Sequence, residues 1–333
     1  MQMQNLRDDE CVTSWIAAEA VRYLKNKNKF SAKDNKTKLH KIIYLVADEH
    51  DIPITRGWYL HGPFIYNDNI LNKNYEDNIE VWTSSKYNID KIRQDVREYH
   101  FNVDEIVSSI EKWSDLINEK SADESILLLY RSYSPEEFRD IYLKKYNLTG
   151  VRTNISHLIN YYNARLRDKN GSSSLELLQN LYDDVDAFET SAFNTFDDQQ
   201  LESNTIKFFN VFRELLWKIE LLLKEIDLDQ KIISSLKYGQ DKFVISIWTS
   251  YGGNIIKKTA KGINQKNAKQ MGNRTRRSTL NSFPDVIFEF NEYCRKYNLN
   301  MSYNDMKKYK SQKEDNELDK NLWKLVKISS RLE

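Results

Sequence analysis

Thr37-Lys-Leu-His-Lys-Ile-Ile-Tyr-Leu-Val-Ala47, followed closely by Asp51-Ile-Pro-Ile-Thr-Arg-Gly-Trp-Tyr-Leu-His-Gly-Pro-Phe-Ile65, decides how this chain is read. In the first stretch Leu39, Ile42, Ile43, Val46 and Ala47 recur at spacings of three and four, the stripe of one helix face. Lys36, Lys38, Lys41 and Asp48 fall on the expected wet side, and Asp34 or Asn35 can cap the start. Asp51-Ile-Pro ends the helix. The chain has four prolines and nine glycines, and two of each lie between Pro53 and Pro63, so this corner is unusually punctuated. Ile54 to Leu60 is expected to be extended, with a turn forced at Gly62-Pro63. Ile79 to Thr83 alternates and is expected to pair with 56–60. For Trp58, Tyr59 and Phe64 the plain reading is a packed core.

Working outward, the chain reads as mainly α. Val12, Trp15, Ile16, Ala20, Tyr23 and Leu24 form one stripe of a helix over 12–28. Ser121-x-x-Glu124 and Ser134-Pro-Glu-Glu137 have the composition of helix starts. A polar break at Asp168 to Ser174 is the expected domain boundary. It separates an N-terminal helical domain with a short β element (1–168) from a larger helical bundle (175–333). Helices are expected near 174–190 and 204–226, the latter apolar on most sides from Ile206 to Ile226 and so central to a bundle. Phe243 to Trp248 fits either a strand or a buried helix. Residues 254–281, polar and basic, look mobile in isolation, and helices at 285–297 and 315–331 close the chain.

Bulk properties narrow the function classes. The 333 residues exceed what one compact core usually serves. No apolar run reaches the roughly 18–20 residues of a membrane span, and the polar, acidic start is unlike a signal peptide. Cys11 and Cys294 are then expected to be reduced thiols in a cytoplasmic protein. No G-x-G-x-x-G or Walker pattern occurs, so no nucleotide cofactor is implied. The five histidines, His40, His50, His61, His100 and His157, lack zinc spacing, and no cofactor or metal is expected. Glu111-Lys112, Asp115 and Glu119-Lys120 come nearest to a carboxylate nuclease cluster, but their spacing suits a solvated helix face.

The helix bearing Lys38-Leu39-His40-Lys41-Ile42-Ile43-Tyr44-Leu45 and the turn Tyr59-Leu60-His61-Gly62-Pro63 together resemble the Panacea, or SocA-like antitoxin, domain. That family carries a K-L-Q-K-[LI]-[LI]-Y-L helix leading into W-x-x-G-P. Here His40 replaces the Gln and Tyr59 the Trp, with Trp58 beside it, and Thr55-Arg56-Gly57 and Phe64 replace the family's usual acid and Val. The resemblance covers about residues 12 to 85. It implies a non-enzymatic binding protein of a prokaryotic or phage conflict system that recognises a toxin or effector protein. The residues carried over as partner-binding are Lys38, His40, Lys41, Tyr44, Trp58, Tyr59, His61, Gly62 and Pro63.

Charge placement supplies the alternative. The net charge of +1 hides a segregation. Asn170 to Ile206 holds eight acids and no base, whereas Lys242 to Pro284 holds nine bases and no acid. Lys257, Lys258, Lys261, Lys266, Lys269, Arg274, Arg276 and Arg277, interleaved with Asn, Gln and Thr, suit a strip that tracks nucleic-acid phosphates. The acidic stretch reads as a solvated face that could pair with this strip. Self-association is left open by the sequence.

Overall fold

The stripe at 39–47 is buried as its spacing requires, and the hairpin beyond it is braced by Thr259, Lys261 and Asn264 from far along the chain. The computed structural model describes residues 2–29, 35–66, 102–149, 172–223 and 230–313. The expected strand at 79–83, most of the polar break at 168–174 and the helix at 315–331 lie outside the described residues. The fold is mainly α, with one small antiparallel sheet among the described residues. No helix among the described residues is long and apolar enough to cross a membrane.

The chain divides into two compact units. One contains residues 1–146 and 248–280, the other 147–247 and 281–333. This differs from a cut near 170, because the segment 248–280 folds with the N-terminal residues. The chain passes between units at 146/147, 247/248 and 280/281, each inside a helical stretch.

In the first unit α1 (Gln2–Asn26), α2 (Asn35–Glu49) and α3 (Val103–Asn118) pack on one another. Trp15, Ile16, Ala17, Ala20 and Val21 are sealed from solvent, so α1 is buried around more than its single expected stripe. Strands β1 (Arg56–Tyr59) and β2 (Gly62–Ile65) form a hairpin whose two-residue turn is Leu60-His61. Gly62, at φ +93°, therefore begins β2 rather than forming the turn with Pro63. Arg56 and Trp58 aim their backbone N–H groups away from β2, at Lys261 O (3.1 Å) and Thr259 Oγ1 (2.9 Å). Pro63, opposite Trp58, is thus never asked for the N–H it lacks.

Helix α4 (Ala122–Ser132) starts with the expected capping box from Ser121 and Glu124. Ser134, expected to cap the next helix, α5 (136–149), instead donates its hydroxyl back to Tyr130 O at 2.5 Å. The unit is completed by α9 (Thr249–Thr259) and residues 265–280 of α10 (Gln265–Lys296). The expected loose basic segment is thus ordered helix. A Cβ on Gly253 would lie 2.7 Å from Gly272 O, and one on Gly272 2.5 Å from Gly253 O, so only glycines let α9 and α10 approach this closely.

The second unit centres on α7 (Gln199–Leu223), which packs against α6 (Ser172–Thr195), α8 (Gln230–Phe243) and α11 (Tyr303–Lys313). Phe188, Phe208, Phe209, Phe212, Phe243 and Phe290 form its core. Ile206 is exposed, so α7 keeps one wet face despite its composition. Val244–Trp248, ambiguous in sequence, is a π-helical turn.

Candidate functional site

Of the residues carried over from the family-like motif, the structure buries Lys41, Tyr44, Trp58, Gly62 and Pro63. Lys38, His40 and Tyr59 are half-buried, and His61 is exposed. The motif is therefore chiefly an internal scaffold, as the core reading of Trp58 anticipates. Trp58 donates Nε1–H to Tyr44 Oη at 2.9 Å. Burial pushes the Tyr44 hydroxyl up to about 12, so it stays protonated at neutral pH. Around Trp58 stand Tyr44, Tyr130 and Tyr142, with ring centroids 6.0, 6.4 and 5.3 Å away. Tyr142 also meets Trp248 edge-on at 5.3 Å. Such pairs add about 0.5–1.5 kcal/mol each beyond area burial.

Lys41 departs from its expected position. At 2 % exposure it is inside, because α2 is covered by the hairpin on the side that the sequence pattern leaves wet. Its Nζ donates to His61 O at 2.6 Å. Desolvation first, and then the nearby charge of Lys145, lowers its pKa to about 7. His61 keeps an exposed surface yet is crowded by protein mass. Desolvation, then Lys145, then Lys41 lowers its pKa to about 4, so the imidazole is neutral at physiological pH. His40 stacks on Phe64 at 5.8 Å, and Phe64 in turn meets Tyr59 at 5.7 Å.

Arg56, which the sequence reading left unassigned, is 5 % exposed and holds the corner together. It pairs with Asp48 at 3.1 Å and donates to Ile52 O at 2.6 Å. Residues 260–264 then lie along this corner. Lys261 exchanges backbone hydrogen bonds with Arg56, Ile263 N donates to Pro53 O (3.0 Å), and Asn264 N donates to Thr55 Oγ1 (2.8 Å). Gly262, at φ +95°, passes so close that a Cβ would sit 2.2 Å from Ile54 O. Ile256, Ala260 and Ala268 form a small core with Tyr59, Phe64, Tyr66 and Met271.

This anchoring brings the two candidate surfaces, the motif and the basic segment, into one unit. Along α10, Lys266, Lys269, Arg274, Arg276 and Arg277 fall within an arc of roughly 160°, at about 100° per residue. Ala268, Gly272 and Thr279 occupy the opposite side and are buried. Gln270 and Asn273 lie in the middle of the basic arc. Not all eight bases are available, because Lys258 pairs with Glu137 at 2.6 Å and Lys261 with Asp48 at 3.6 Å. Lys257, Lys266, Lys269, Arg274 and Arg277 have no ion-pair partner among the described residues, and Lys257, Lys266, Arg274 and Arg277 are exposed.

Of the acids considered for catalysis, Asp115 and Glu119 are committed to lysines, and the neighbouring Lys112 is committed to an acid. Lys112 pairs with Glu49 (2.7 Å), Asp115 accepts from Lys27 (2.8 Å) and Tyr23 (2.6 Å), and Glu119 faces Lys29 (3.4 Å). Among the described residues no group of three metal-ligating side chains converges. In the acidic stretch, Asp186 and Glu189 both bind Arg213 within the second unit. His50 Nε2 lies 2.8 Å from Ser109 Oγ, and Cys294 is buried, its thiol pushed up to about 12 by desolvation and by Glu214. His100 and His157 lie outside the described residues, as does the side chain of Cys11. Tyr130, Tyr142, Lys145 and Trp248 escape sequence reasoning because each reaches the motif from another part of the chain and carries no local pattern.

No curated protein and no solved structure matches the chain. A family model matches residues 10–327, so the arrangement of motif, hairpin and basic helix described above is that of a member of the family described as a domain of unknown function, DUF8098.

Proposed function

We propose that this protein acts by binding and that the exposed basic face of α9 and α10 is its contact surface for duplex nucleic acid. The carrying observation is the set Lys257, Lys266, Lys269, Arg274 and Arg277, which is free of ion-pair partners among the described residues and is backed by a rigid helical pair. Lysines and arginines on a fixed rod track phosphates, while Gln270 and Asn273 between them can bond to phosphate or to base edges. Residues 265–282 contain no aromatic side chain on which unstacked bases could lie, which favours a duplex over a single strand. Five phosphate contacts give a log–log salt slope of about −4.5 on B-form DNA. Fluorescence anisotropy on a short duplex across a salt series tests this. Replacing the five bases by Ala should weaken binding and flatten the slope towards zero. An unchanged slope would refute the reading.

A second reading, antitoxin-like recognition of a toxin or effector protein, is supported by the ladder of His40, Phe64 and Tyr59. His40 and Tyr59 belong to the family-like motif, Phe64 directly follows it, and all three are half-buried. A protein partner that co-purifies with the native chain should be lost from His40→Ala and Phe64→Ala variants and retained by the five-base variant. The opposite pattern would reject this second reading.

A further inference from the structure

The basic face of α10 is not uniformly basic. At about 100° per residue, Lys266, Gln270, Asn273 and Arg277 fall within roughly 60° of one another and so form a single line along the helix. Lys266, Gln270 and Arg277 are exposed, and Asn273 is half-buried. Lys269 flanks this line on one side and Arg274 on the other. Two carboxamides at the centre of a cationic face need a reason. A surface that only neutralises phosphates gains nothing from them, because neither carries charge. Neither side chain has a hydrogen bond or ion pair among the described residues, so the fold does not employ them.

The dimensions of duplex DNA supply a reason. A helix about 10–12 Å across fills a major groove about 12 Å wide. Its outermost line then faces the base edges, and its flanks face the two phosphate walls. On α10 this sets Gln270, Asn273 and Arg277 against bases, with Lys269 and Arg274 towards opposite backbones. A carboxamide offers one donor and one acceptor, which complement adenine N6–H and N7, and a guanidinium fork matches guanine O6 and N7. Gln270 and Asn273 are about 4.5 Å apart along the helix axis, close to one base-pair step of about 3.4 Å. Arg277 lies about 6 Å further on, a distance of one or two steps. A-form RNA buries its major groove too deeply for side chains to read, so this face suits DNA.

We propose that α10 is a reading helix that lies in the major groove of duplex DNA, where Gln270 and Asn273 recognise neighbouring adenines and Arg277 a guanine one or two pairs beyond. This rests on the reading of the basic face as a duplex-contact surface, and adds that binding there is selective for sequence.

The test is selection of duplexes from a random-sequence library by the full chain, followed by fluorescence anisotropy on the selected and a scrambled duplex. The bound pool should share a short motif with two adjacent A·T pairs and a G·C pair at this spacing. Gln270→Ala and Asn273→Ala should each lower the preference for the selected over the scrambled duplex by about 5- to 100-fold. In a repeated selection each variant should randomise one A·T position and leave the others specified. Arg277→Lys, which keeps the charge and loses the fork, should randomise the G·C position. None of these side chains is fully buried, and an unchanged thermal midpoint confirms that each variant folds. Equal affinity for every duplex, with a steep salt slope retained, would overturn the reading helix and leave the duplex surface standing. No duplex binding at low salt would overturn both. A motif that Gln270→Ala and Asn273→Ala weaken evenly at all positions would also overturn the assignment of the carboxamides to bases.

Discussion

Lys41 is the residue where local pattern and final environment part furthest. Its place on the polar side of α2 predicts a solvated amine, yet its pKa falls from 10.5 to about 7 on burial. Between those values the unfolded chain holds a proton that the folded chain has released, so stability rises with pH across this window. The burial penalty is complete below about pH 7 and is relieved towards pH 10.5. The difference in thermal midpoint between wild type and Lys41→Met should therefore shift in favour of wild type between pH 7 and pH 10. A pH-independent difference would show that Lys41 is not desolvated as described. Gly62 makes a simpler case. Its φ of +93° disfavours any side chain, and Tyr130 stands 3.2 Å from the Cβ position. Gly62→Ala should cost about 1–2 kcal/mol in denaturant unfolding.

At the scale of elements, the hairpin owes its stability to α9 and the loop that follows it. Thr259 Oγ1 accepts from Trp58 N at 2.9 Å and donates to Ile255 O at 2.9 Å, so one hydroxyl serves both strand and helix. Thr259→Val keeps the shape and strands the Trp58 amide, at an expected cost of about 1–3 kcal/mol, and Thr259→Ser should recover most of it. The α9–α10 pair depends on Gly253 and Gly272, whose missing side chains set the distance between backbones. Gly272→Ala should destabilise by about 1–3 kcal/mol, measured by urea unfolding, since backbone oxygen rather than a flexible side chain blocks the new methyl. In sequence Gly252-Gly253 reads as punctuation. Within α9 it is a site of close packing, and only the partner helix, some twenty residues later, distinguishes the two meanings.

At the scale of the whole molecule, the net charge of +1 averages over a basic segment in one unit and an acidic helix in the other. The fold of the N-terminal unit needs residues 248–280, which bring Trp248, Ile256, Ala260 and Ala268 to its core. A fragment ending at residue 168, the boundary that composition favours, lacks all of these. Such a fragment should show no cooperative thermal transition and weak near-ultraviolet circular dichroism. Joining residues 248–280 to it through a flexible linker should restore both. A fully cooperative 1–168 fragment would contradict this division.

Spacing alone marked helices at 12–26 and 37–47, because burying a stripe at the helical period is a local demand that any core must meet. It did not show that the first begins at Gln2 or ends at Asn26, two residues short of the expected 28. Residue type alone also marked the punctuated corner at 53–63 and the segregation of charge. Tertiary structure decided the rest. It placed 248–280 against the hairpin, turned an expected loose basic segment into a helix, and drew Lys41 inside onto the carbonyl of His61. Those outcomes depend on which distant surfaces meet, and a linear pattern records only what each residue offers, not what covers it.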